Sequence, residues 1–144
     1  MNPTHVPAAL RRHVRQRASN CCEYCLLAEE DAFFTHEPDH VIAEKHGGAT
    51  SFENLAWACF DCNRFKGSDI ASLDPLTGEL VPLFDPRTQV WHEHFELIGG
   101  GTIHPLTPIG RATEHLLKLN LDERVEARNL LAALGRYAAF PSPI

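Results

Sequence analysis

Leu10 and Val14 stand four residues apart, so they share one face of a predicted helix that Pro7 opens, with Arg11, Arg12 and Arg15 turned away. Further on, Phe33-Phe34-Thr35 and Val41-Ile42-Ala43 are apolar and β-prone. Pro38 lies between them, which predicts a strand starting near Asp39 or an edge strand with a break. After the loop signal at Gly47-Gly48, Asn54–Ala58 reads as a second short strand. Phe60–Lys66 reads as a short helix that Gly67 ends in a left-handed conformation. Ser68–Pro86 is rich in Asp, Pro, Gly and Ser and predicts an extended wrap anchored by Leu80–Phe84. Val90–Leu97 alternates in part and, with Gly99–Gly101 and Thr102–Leu106, predicts a β-hairpin. Two helices follow, Pro108 to about Leu119 and Leu121 to Leu134, the second stopped by Gly135. Leu116, Leu117, Leu119, Leu121, Val125, Leu130, Leu131 and Leu134 are expected in the core.

The length of 144 residues suits one domain with an appendage, and 44% apolar with 22% charged residues is ordinary for a folded protein. No apolar run reaches membrane-spanning length, and Met1–His5 lacks the order of a signal peptide. The expected location is therefore cytoplasmic, where paired cysteines more often bind metal than each other. The net charge of −6 carries no overall basic footprint for a polyanion. Charge is uneven, though: residues 1–20 hold four arginines and no acid, and residues 21–40 hold six acids and no Lys or Arg. Contacts with nucleic acid would have to use local patches and be salt-sensitive.

Two C-x-x-C pairs, Cys22/Cys25 and Cys59/Cys62, are separated by 37 residues. Each pair lets one tight turn present two sulfurs, so together they supply the four ligands of a closed structural Zn²⁺ site. Ordinary thiols or another metal or redox role are the alternatives. Cys21 is left as a spare thiol. A shared ion would hold residues 39–63 in a closed loop.

Inside that loop lie Asp39-His40 and Asn54, and Asn63 directly follows Cys62. Cleaving a phosphodiester needs an activated water and a cation at the phosphate. Histidine is the side chain best suited to general-base work near neutral pH, which singles out His40. Asp39 and the amide oxygen of Asn63 are hard donors for Mg²⁺ or another divalent cation. Adjacent strand residues point to opposite faces, so either the strand starts or bulges at Asp39-His40, or the two approach a phosphate from different sides, which in-line attack favours.

The stretches DHVIAEKHGG, ENLAWAC and CNRFKG resemble the HNH endonucleases, in the subgroup with two zinc knuckles, and LFDPR resembles the extension that often follows. The resemblance implies an α+β fold. Its ββα-metal (His-Me finger) core would be stapled by a four-cysteine zinc site, with a C-terminal β-hairpin and two-helix extension. It also implies that Asn54 holds the loop and His40 in place. The chain departs from the pattern where Asn63 replaces a histidine and where Pro38 takes a usually apolar position. The expected division is a nuclease core with its basic helix over residues 1–74 and an extension packed on it over residues 75–144.

The activity implied is metal-dependent DNA hydrolysis, with Arg11, Arg12, Arg15, Arg64 and Lys66 as phosphate contacts. His36 and His46 are weaker candidates for phosphate or metal. A protein partner that supplies DNA affinity fits the acidic balance. The competing expectation is a non-catalytic zinc-stapled nucleic-acid-binding or adaptor module.

Overall fold

The computed structural model describes residues 5–137. Residues 1–4 and 138–144, on which the expected absence of a signal peptide and the end of the C-terminal extension partly rest, lie outside them. The described part is a small mixed α/β fold of three two-stranded antiparallel sheets, five α-helices and two single-turn 3-10 helices. None of its helices is long and apolar enough to cross a membrane.

Helix α1 (Ala8–Arg17) begins after Pro7 and buries Val14, with Leu10 beside it, against Leu55 and Trp57. Strand β1 (Glu37–His40) pairs with β2 (Leu55–Ala58), Glu37 opposite Ala58 and His40 opposite Leu55. β1 therefore starts two residues earlier than expected, passes through Pro38 and stops before Val41. The bond from Val41 N–H to Asn54 O continues the ladder at 2.9 Å. Bonded and non-bonded pairs alternate in an antiparallel ladder, so Pro38 falls where its nitrogen faces away from β2. Its missing donor costs the ladder nothing there.

Helix α2 (Phe60–Lys66) follows β2 at once, and Gly67 ends it with a positive φ of 52°. Its first turn is capped by sulfur, because Cys59 Sγ accepts from Cys62 N–H.

The stretch after α2 is more regular than its composition suggests. Strands β3 (Ala71–Leu73) and β4 (Leu80–Pro82) pair across a turn built on Asp74. That carboxylate accepts from Leu76 N–H and takes the Arg111 guanidinium fork at 2.9 and 2.8 Å. The Arg111 bonds hold the Asp74 carboxyl well below the usual range. A folded-state value below the unfolded one contributes stability that is present above about pH 4 and is lost as pH falls toward the folded value. Arg111→Met is therefore expected to lower the urea midpoint at pH 7. The gap to wild type should narrow as pH falls below about 4, and a pH-independent gap would count against this account.

Val90–His94 corrects the expected strand. Trp91–His94 forms a short helix, α3, and β5 begins only at Phe95 (Phe95–Ile98), pairing with β6 (Thr102–Pro105). Trp91 and Phe95 lie four apart and pack with ring centroids 5.0 Å apart, a helical spacing inside an apparently alternating run. Helix α4 (Pro108–Leu116) has the expected proline in its first turn and a Thr107 cap donated to by Gly110 N–H at 3.0 Å.

Helix α5 (Asp122–Ala133) is a second correction. Its buried residues are Arg124 and Arg128, while Leu130 and Leu134 are 65% and 64% exposed. The inward face meets the carbonyl oxygens after α4 and the cysteine sulfurs, acceptors that need cationic donors rather than leucines. Leu117 and Leu119 are buried as expected, and one apolar cluster joins Cys22, Tyr24 and Cys59 with Phe84, Trp91, Phe95 and Ile103. That cluster runs across the boundary placed near residue 74.

Candidate nuclease site and cysteine cluster

Cys22, Cys25, Cys59 and Cys62 are buried, and their sulfurs all lie within 4.8 Å of one another. Four thiolates around a tetrahedral zinc stand about 3.8 Å apart, and Cys25 and Cys59 are separated by 3.6 Å. Each pair folds as a knuckle whose first sulfur accepts backbone N–H groups, Cys22 from Tyr24 and Cys25, Cys59 from Cys62, all at 3.4 Å. Burial pushes the Cys22 and Cys62 thiols well above their ordinary value, while hydrogen bonds from its three neighbours hold the Cys25 thiol well below it. Holding all four as thiolates therefore calls for a compensating cation. The donor set could hold a metal ion such as zinc. Cys21 is half-buried and stands outside the cluster.

A cleft of about 800 Å³ opens beside this cluster, lined among others by Asp39, His40, Glu44 and Asn63. The structure thus brings the expected catalytic residues Asp39, His40 and Asn63 to one cleft, with Arg11 on its lining. His40 is partly exposed, and its Nε2 lies 2.8 Å from Thr50 Oγ1 and 4.0 Å from a Glu44 carboxylate oxygen. Asp39, on the same strand, is buried: it accepts Tyr24 O–H at 2.8 Å and sits 3.2 Å from the Lys66 ammonium. Burial raises the Asp39 carboxyl above its ordinary value, while Lys66 and Tyr24 pull the other way.

Asn63 follows the last cysteine on α2, one turn before Gly67. Asn54 binds the loop rather than the His40 ring. Its amide oxygen accepts Ile42 N–H, and its nitrogen donates to Ile42 O and Ala49 O at 2.9 and 2.8 Å. The loop closes so tightly that a Cβ on Gly48 would overlap the Ile42 carbonyl oxygen. Only glycine fits there.

The basic candidates are placed unevenly. Lys66 does not project from a solvated helix face. It is 1% exposed, and its ammonium also donates to His40 O at 3.0 Å. Arg11 bonds Glu37 at 2.5 Å and His36 O at 3.1 Å, and Arg15 bonds Glu29 at 2.9 Å. Arg12 is exposed. Arg64 is exposed beside Asp61, its guanidinium 4.5 Å from the Phe65 ring centroid. His36 is buried with Nε2 on Leu27 O, and His46 is exposed.

Thr50, Tyr24 and Arg124 were invisible as site residues. Each acts through a contact 10 or more residues away, and none stands in a spacing pattern that names a ligand. The loop clamp and the cysteine cluster lie on one segment of the sequence, and the N-terminal residues His5, Val6, Ala8 and Arg11 complete the cleft beside them.

Residues 22–69 match the HNH endonuclease family model. This HNH segment, from the first knuckle to just past α2, is a third of the chain and points to a nuclease-type function. Comparisons with curated proteins and with solved structures give no match.

Proposed function

We propose that the protein is a metal-dependent endonuclease that hydrolyses phosphodiester bonds in DNA. β1, β2 and α2 would form its ββα-metal core. The observation that carries this reading is the meeting of His40, Asp39 and Asn63 at one cleft inside the HNH segment.

Asp39 and Asn63 are the oxygen donors that would hold Mg²⁺ or another divalent cation, with Asp39 exchanging its Lys66 contact for the ion. Bound there, the ion supplies positive charge to the scissile phosphate. His40 takes the proton from the attacking water. In the tautomer whose Nε2–H donates to Thr50 Oγ1, Nδ1 keeps its lone pair for that task. Lys66 fixes both sides of the site, its ammonium on the Asp39 carboxylate and on the His40 carbonyl. Arg12, which is exposed, is the arginine readiest to meet phosphates. Arg11, Arg15, Arg64 and Lys66 would have to exchange partners within the protein to do so.

The deciding experiment is relaxation of supercoiled plasmid by metal-stripped protein with Mg²⁺, Mn²⁺ or Ni²⁺ restored. Metal-dependent conversion to open-circular or linear DNA supports the proposal. Activity equal to that of His40→Ala under every metal sinks it.

Asn54→Ala removes the three loop bonds and lets the Ile42–Ala49 segment shift. Misplacement of this kind is expected to slow cleavage on the order of 10²-fold, with zinc content unchanged by metal analysis. Full activity in that variant would contradict a positioning role.

The ion pairs on Arg11, Arg15 and Lys66, with the net charge of −6, favour a second reading: a zinc-stapled adaptor that binds nucleic acid without cutting it. DNA retention without cleavage in the same assay is its signature.

A further inference from the structure

We infer that Arg124, carried by α5, is a positioning residue of the cysteine cluster whose guanidinium offsets thiolate charge and slows metal release. This rests on the cluster being a metal site. Arg124 is 8% exposed; its Nε lies 3.9 Å from the Asp61 carboxylate, and its two terminal nitrogens divide between carbonyl oxygens and cysteine sulfurs. Nη1 donates to Leu117 O at 2.8 Å and Lys118 O at 3.0 Å, past the end of α4. Nη2 donates to Cys62 Sγ at 3.1 Å and lies 3.8 Å from Cys59 Sγ.

Four thiolates on a divalent ion carry two net negative charges, here in a buried setting. A guanidinium stays protonated at any working pH, so one such group halves that charge and occupies a sulfur lone pair that a proton would otherwise attack.

The bland account is that Arg124 only satisfies the carbonyl oxygens after α4. Arg128, one turn later, provides the comparison. It makes the same kind of contact, Nε to Gly101 O at 2.7 Å and Nη2 to Leu119 O at 2.6 Å, and bonds no sulfur. Two arginines tie α5 down, and one of them reaches the knuckle.

The test is zinc transfer from the full-length protein to excess EDTA, followed with a metallochromic indicator. Arg124→Gln is expected to release zinc about 10–100-fold faster, Arg124→Lys by an intermediate factor, and Arg128→Gln within roughly threefold of wild type. Release from Arg124→Gln at the wild-type rate overturns the inference. Equal acceleration by Arg128→Gln also overturns it, because the effect would then be helix packing.

Should Arg124→Gln fail to fold, Co²⁺-loaded wild type and Arg124→Lys are compared by their thiolate-to-cobalt charge-transfer bands. A shifted band supports the contact, and an identical band overturns it. Wild-type protein that retains no zinc removes the metal reading itself, before any variant is compared.

Discussion

His40→Ala is expected to slow plasmid cleavage by about 10²–10⁴-fold, the range that a positioned general base contributes. Zinc content and thermal midpoint should stay near wild type. The ring is partly exposed, it bonds Thr50 with the Glu44 carboxylate 4.0 Å away, and the β1–β2 ladder is backbone-made. Loss of the ring therefore removes chemistry without removing support. Thr50→Val should produce a smaller loss, since it frees the imidazole to rotate without deleting the base. Groups acting through one another are not additive. Thr50→Val in the His40→Ala background should thus change nothing further. An additional loss there would show that Thr50 acts by another route.

Cys59→Ser is the second large effect, and the choice of serine separates two jobs. Cys59 caps α2 through its sulfur and contributes a sulfur to the cluster. Serine is a good helix cap but a poor soft-metal ligand, so the cap survives and the metal site does not. Structural zinc sites contribute ~10–16 kcal/mol of apparent binding free energy, as much as the whole stability of a typical domain. Cys59→Ser should therefore show no cooperative melt by circular dichroism and little zinc by atomic absorption. Cys21→Ser should match wild type in both. A zinc-replete, cooperatively melting Cys59→Ser protein would refute the staple.

Local signals carried well where one short stretch makes its own structure. The knuckles, β2, α2 with its Gly67 stop and the Pro108 helix start all follow from neighbours in sequence. The cleft residues Asp39, His40 and Asn63 were legible for the same reason, since they sit within or beside the loop that the two cysteine pairs bracket. What failed depended on distant partners. The leucines of α5 read as core until the carbonyl oxygens after α4 and the sulfurs of α2 claimed Arg124 and Arg128 instead. Lys66 read as a phosphate contact, because nothing local shows that Asp39, 27 residues earlier, draws it inside. Trp91 read as part of a strand until its indole N–H found Tyr24 O at 2.9 Å.

Pro38 in β1 has one more consequence, for self-association. A two-stranded sheet has two free edges, each a template for strand addition and aggregation. Here the outer edge of β1 lacks a donor at Pro38, and its carbonyls at His36 and His40 are taken by Arg11 and Lys66. The outer edge of β2 is occupied where Trp57 exchanges bonds with Glu23, its O accepting Glu23 N–H and its N–H meeting the Glu23 carboxylate. The hairpin beneath the cleft is thus closed to a third strand on both sides. Any macromolecule that settles there meets side chains and charge, with no backbone ladder to extend.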